Sequence, residues 1–177
     1  MHRRIVLIIG AALLLATDVL AQTPYAGMQM RPIKALSDQQ VSDLRAGRGM
    51  GLALAAELNG YPGPSHLLEL ADQIGLSDAQ RASGSSLFEA MKAEAVPIGE
   101  RLIEQEAALD RLFATHQATP ENIGAAVEAI GETQARLRNA HLKYHLQTIA
   151  MLQPDQVERY NKLRGYGGDV PAHHQHH

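Results

Sequence analysis

The four residues Gln117-Ala118-Thr119-Pro120 decide how this chain folds. Threonine is a good helix cap, and proline suits the first helical position because its missing N–H would be unpaired there anyway. A helix therefore starts at this point, and whatever helix precedes it has to stop. Reading backwards, Phe88, Met91, Ala95, Ile98, Leu102, Leu109 and Leu112 recur at mostly helical spacings, with Gln105 the one polar residue on the seam. That pattern predicts a helix over about Asp78–His116. Reading forwards, Ile123, Val127, Ile130, Gln134, Leu137, His141 and Tyr144 form the stripe of a second helix over about Glu121–Leu152. At the usual rise per residue the first would reach on the order of 57 Å, too long to stand alone. Two such helices joined by a short turn are expected to pair as an antiparallel hairpin. Pro97 and Gly99 predict a kink in the first helix.

Both ends of this unit carry a related cassette. Leu76-Ser77-Asp78-Ala79-Gln80 precedes the first long helix, and Leu152-Gln153-Pro154-Asp155-Gln156 follows the second. Serine at the cap with glutamine three residues on is a capping box. Leu36-Ser37-Asp38-Gln39-Gln40 gives the same signal for an earlier helix over Asp38–Leu44. Glycines 47, 49 and 51 then loosen the chain before an apolar helical pattern at Leu52–Leu58. Without a preceding strand or a G-x-x-x-x-G-K spacing, GRGMG is not a phosphate loop. Asn59-Gly60 and Tyr61-Pro62-Gly63-Pro64 make a stop and a rigid turn. A short helix is expected at His66–Ile74, and a last one at Val157–Arg164.

Outside this region the chain changes character. His2, Arg3 and Arg4 precede the apolar run Ile5–Ala16, and Val19-Leu20-Ala21 supplies a cleavage pattern. Residues 1–21 therefore read as a signal peptide, the apolar run being too short for a membrane span. The expected organisation is a leader at 22–35, a helical domain at 36–165 and a His-rich tail without regular structure at 166–177. The leader's Met28 and Met30 read as incidental thioethers or as soft copper ligands. With no cysteine in its 177 residues, the fold has to hold by packing alone. Aromatic residues are only 4% and the formal charge is −3, which favours an all-α fold and argues against nucleic acid as a partner.

The candidate chemistry lies in histidine. His141 and His145 stand one helical turn apart, close enough to share a cation. Folding the second helix back about Gln117-Ala118 sets His141 near Glu94, and His145 near Met91. His141, His145, Glu94 and Met91 would offer imidazole, carboxylate and thioether ligands, a set open to Zn, Ni, Co or Cu. The bland alternative is that His141 fills the seam while His145 is solvated. His66 reads as structural or solvated, and His116 as a helix-end residue favoured by the dipole. In the tail, His173, His174, His176 and His177 are dense enough to bind divalent transition metals in any conformation. No nucleophile elbow and no carboxylate pair at a recognisable spacing is present, so a binding protein is expected rather than an enzyme.

With its signal peptide, long paired helices and repeated L-[ST]-x-x-Q cassette, the chain resembles the Spy/CpxP family of bacterial periplasmic proteins, the LTxxQ-motif family. The resemblance covers about Pro64–Arg164; the second cassette has Gln153 where the pattern has Thr or Ser. It implies an α-helical hairpin that dimerises into a cradle. It also implies a periplasmic stress-response protein that binds divalent transition metal ions, chaperones unfolded client proteins without ATP, or does both. The other expectation is a helical adaptor docking onto a membrane-bound sensor, with no metal role of its own.

Overall fold

The computed structural model describes residues 25–166, and every described element is helical. Residues 1–21, read in the sequence as a signal peptide, and the tail histidines 173, 174, 176 and 177 lie outside the described residues. A 3-10 turn at Met28–Met30 is followed by α1 (Asp38–Arg45), α2 (Leu54–Glu57), α3 (Pro64–Glu69), α4 (Asp78–Ala114), α5 (Pro120–Ile149) and α6 (Pro154–Leu163). The two long helices end close to where the sequence sets them. Thr119 caps α5 by accepting from the Asn122 amide, with Asn122 completing a capping box that escaped the sequence reading. At the other side of the turn α4 closes with Gln117 N–H on Leu112 C=O and His116 N–H on Phe113 C=O. That is a Schellman motif, and it puts His116 at φ +56°, a conformation glycine usually supplies.

The short helices depart further from expectation. Only Leu54–Glu57 of the Leu52–Leu58 pattern is helical, and α3 stops at Glu69 rather than Ile74. The chain then continues through turns to Gly75, because Leu67, Ala71, Ile74 and Leu76 are all drawn into one apolar cluster with Tyr160. α6 starts three residues earlier than its apolar pattern suggests, since Gln153 takes the cap and Pro154 the first turn.

α5 runs back along α4: the Gln105 side-chain amide donates to Ala129 C=O near the turn, and Tyr144 meets Glu94 further along. Leu44, Ala95, Leu102, Ile103, Ile130 and Leu137 make the core of this pair. α4 runs on through Pro97 as a single helix. Gly99 also admits a close contact: a Cβ there would lie 2.7 Å from the Leu44 carbonyl oxygen. The glycine is the seat on which α1 rests.

At the open end, the two cassettes lock to one another. Gln80 Oε1 accepts from Ser77 N–H and Gln156 Oε1 accepts from Gln153 N–H, each closing its own helix start. Each side-chain amide then donates to the other's oxygen, at 2.8 and 3.0 Å. The second amide hydrogens go to Met151 C=O and Gly75 C=O. Both glutamines are thereby fully satisfied, and the spacing of glutamine from cap is what lets one side chain do both tasks. Gln153 lacks the hydroxyl of Ser77 without disturbing this arrangement.

Candidate functional site

Between the Leu137 end of the α4–α5 core and the Tyr160 cluster, a cavity of about 430 Å³ opens under the Gly47–Gly51 loop. Met50, Glu57, His66, Met91, His141 and His145 are among its lining residues. α4 contributes Met91 and α5 the two histidines, and the turn before α3 closes one side. His145 is not solvated: His141 and His145 are 2% and 7% exposed.

The two rings are held differently. His145 Nδ1 lies 2.6 Å from the Tyr61 carbonyl oxygen. A carbonyl can only accept, so Nδ1 carries a proton, with Glu57 Oε2 3.7 Å from the same nitrogen. The Gly63 backbone packs against this ring; a Cβ there would fall 2.8 Å from Cε1 and 2.9 Å from Nε2. Only glycine lets the backbone come this close to the ring. His141 Nε2 is buried with no hydrogen-bond partner. Burial pushes the pKa of His141 down, and the neighbouring His145 adds to the shift, so the ring is neutral at neutral pH.

Glu57 anchors the rim. Its carboxylate accepts from Tyr160 OH, from His66 Nδ1 at 3.1 Å and from Gly63 N–H at 3.1 Å, with Arg164 Nε 3.6 Å away. Burial alone would raise its pKa, but the hydrogen bonds from His66 and Tyr160 outweigh it and hold the group at about 2. Tyr160 is pushed up by burial and by this carboxylate. One buried charge thus ties α2, α3 and α6 together and braces the segment that presents Tyr61 C=O to His145. A lone glutamate inside the apolar run Leu52–Leu58 was the sequence signal for this role. His66, read as structural or solvated, is half-buried and bound here.

Of the four candidate ligands in the helices, the fold brings three to one cavity: His141, His145 and Met91. It does not bring Glu94. That carboxylate stands opposite Lys143 and Tyr144, the residues two and three beyond His141, taking Lys143 Nζ at 2.5 Å and Tyr144 OH at 3.2 Å. The small slip from the expected register places a salt bridge where a ligand was expected. Among the described residues, no three His, Asp or Glu side chains group as metal ligands, and no helix is long and apolar enough to cross a membrane. The unpartnered His141 Nε2 and the Met91 thioether on the same cavity fit a metal ion better as nitrogen–sulfur than as nitrogen–carboxylate ligation.

No family model, curated protein or solved structure matches this chain.

Proposed function

We propose that the protein is a periplasmic metal-binding and stress-response protein of the Spy/CpxP type, and that its specific ion site is built on His141 and His145. The observation that carries this reading is the pairing of a buried, partnerless His141 Nε2 with a His145 tautomer set by Tyr61 C=O. A core histidine kept only for packing would be expected to satisfy its nitrogens or yield its place to leucine. Two imidazoles one turn apart, with Met91 on the same cavity, are instead what a transition metal takes as ligands. In this reading the ion is Zn, Cu, Ni or Co, and the tail histidines add a looser second site. The α4–α5 pair acts as a hairpin that dimerises into a cradle, with chaperone activity towards unfolded clients a further property of that surface.

A second reading rests on a different observation. Leu54, Leu58 and Leu146 are more than half exposed and Tyr61 more than a third, and Tyr61 and Leu146 flank a shallow hollow lined by Ala55, Ala56 and Leu142. Exposed apolar surface of this kind suits an adaptor that docks onto a sensor domain. Isothermal titration with Zn(II), Ni(II) and Cu(II) separates the readings. Three proteins are compared: the parent, a variant with His173, His174, His176 and His177 changed to Asn, and His141→Ala/His145→Ala. Tight one-to-one binding that survives the tail changes and is lost with the helical pair is the expected result. Binding that leaves entirely with the tail would favour the adaptor.

A further inference from the structure

The turn that roofs the cavity is built against its own sequence. Leu52 N–H bonds Gly49 C=O at 2.7 Å, and both central residues have positive φ, Met50 at +45° and Gly51 at +80°. That is the pattern of a type I′ turn, whose first central position belongs to Asn, Asp or Gly. A methionine there is strained, and nothing in the turn's own hydrogen bonding calls for its side chain. The loop is pinned on three sides. Arg48 binds Asp43 and Ser42; a Cβ on Gly47 would touch Val96 and Lys92 of α4; and Gly49 packs on the His141 ring, a Cβ there falling 3.7 Å from Nδ1. Met50, 42% exposed, is among the residues that line the same cavity as Met91, His141 and His145.

We infer that Met50 is a fourth ligand of the ion site, and that the site takes a monovalent soft cation, Cu(I), in preference to a divalent one. This rests on His141 and His145 being metal ligands. The charge balance selects the ion. The four donors are two imidazoles and two thioethers, and none carries a negative charge to neutralise a cation. Two carboxylates line this cavity, Glu57 and Glu69, and neither is among the four donors; Glu57, 3.7 Å from His145 Nδ1, is already committed to Tyr160, His66 and Gly63. The cost of burying an ion rises steeply with its charge, so uncharged donors in a largely apolar cavity penalise Zn(II) or Ni(II) far more than Cu(I). Thioether sulfur is itself a ligand that favours Cu(I).

The test is anaerobic competition for Cu(I) against a chromophoric chelator, with Ag(I) as a redox-inert probe and Zn(II) in parallel. All proteins carry the four tail histidines as Asn, so that the pocket alone is read. One Cu(I) is expected per chain, bound more tightly than Zn(II), with sulfur scatterers in its X-ray absorption spectrum. Met50→Leu should weaken Cu(I) binding by about tenfold to a hundredfold. Met50→Gly should weaken it as much while raising the melting temperature, because it removes both the ligand and the strain. Cu(I) binding unchanged in Met50→Leu, or tighter binding of Zn(II) than Cu(I), would overturn the inference while leaving the histidine site standing. Metal binding of any kind that persists in His141→Ala/His145→Ala would instead overturn the site on which it rests.

Discussion

At the scale of single residues, His141 and His116 are two histidines that stability alone does not favour. His141 is buried with a nitrogen that bonds nothing. Replacing a buried, unsatisfied polar group with an apolar one of similar size is close to neutral or stabilising. His141→Leu should therefore keep or raise the melting temperature while abolishing ion binding, which a calorimetric scan and a titration on the same sample can check. Its pKa also fixes a pH dependence. The folded value is depressed below the ordinary 6.5, so the unfolded chain takes up a proton that the folded chain refuses. This contribution to stability is complete above the unfolded value and is lost as pH falls through it. Denaturation midpoints should drop below about pH 6.5 in the parent; the part due to this ring should vanish in His141→Leu. His116 is simpler. Its left-handed φ serves the Schellman motif alone, so His116→Gly should stabilise the fold by about 1 kcal/mol in chemical denaturation.

At the scale of elements, the caps and the turn were legible because their signals are local. Ser37, Ser77, Thr119 and Pro120 do in the structure what their positions in sequence require. What was not legible depends on residues far apart in the chain. Gly99 reads in sequence only as part of a kink, with no sign that Leu44 rests on it, and Glu94 looks like a ligand until Lys143 takes it. The candidate His pair was half legible: the spacing in α5 gave two rings on one face, but the Tyr61 carbonyl and the Met50 loop come from segments whose placement no periodicity encodes. Two expectations follow at this scale. Gly99→Ala must displace α1 or bend α4, since the clash is with backbone, and should cost about 1–3 kcal/mol in urea unfolding. Gln80→Ala and Gln156→Ala should each cost about 1–3 kcal/mol by orphaning the other amide. The double variant should cost clearly less than their sum, the signature of one shared interaction in a double-mutant cycle.

For the whole molecule, two apolar clusters hold the described chain, one along the α4–α5 pair and one where α3 and α6 close its open end. The cavity lies between them, and Glu57 is the charged fastener on its rim. Its carboxyl is held near 2, below the ordinary 4.5, so its stabilising contribution is present above the unfolded value and is lost as pH falls towards the folded one. Acid unfolding followed by circular dichroism should accordingly steepen below about pH 4.5, and Glu57→Gln should flatten that limb while destabilising the protein at neutral pH. Because Glu57 also braces the segment that carries Tyr61, the same variant should loosen ion binding without removing a ligand. That is how a fold-level contact reaches the site.

The most direct test of the central claim, that His141 and His145 form a ligand pair set in advance by the fold, is nitrogen-15 NMR of the imidazole rings. It should be recorded without metal and then with one equivalent of Ag(I), on protein whose tail histidines are Asn. Expected is a neutral His145 protonated at Nδ1 and a neutral His141 before the ion is added, then a large shift at one nitrogen of each ring after it. The contradicting result is a His145 protonated at Nε2, or two rings whose resonances do not respond to the ion.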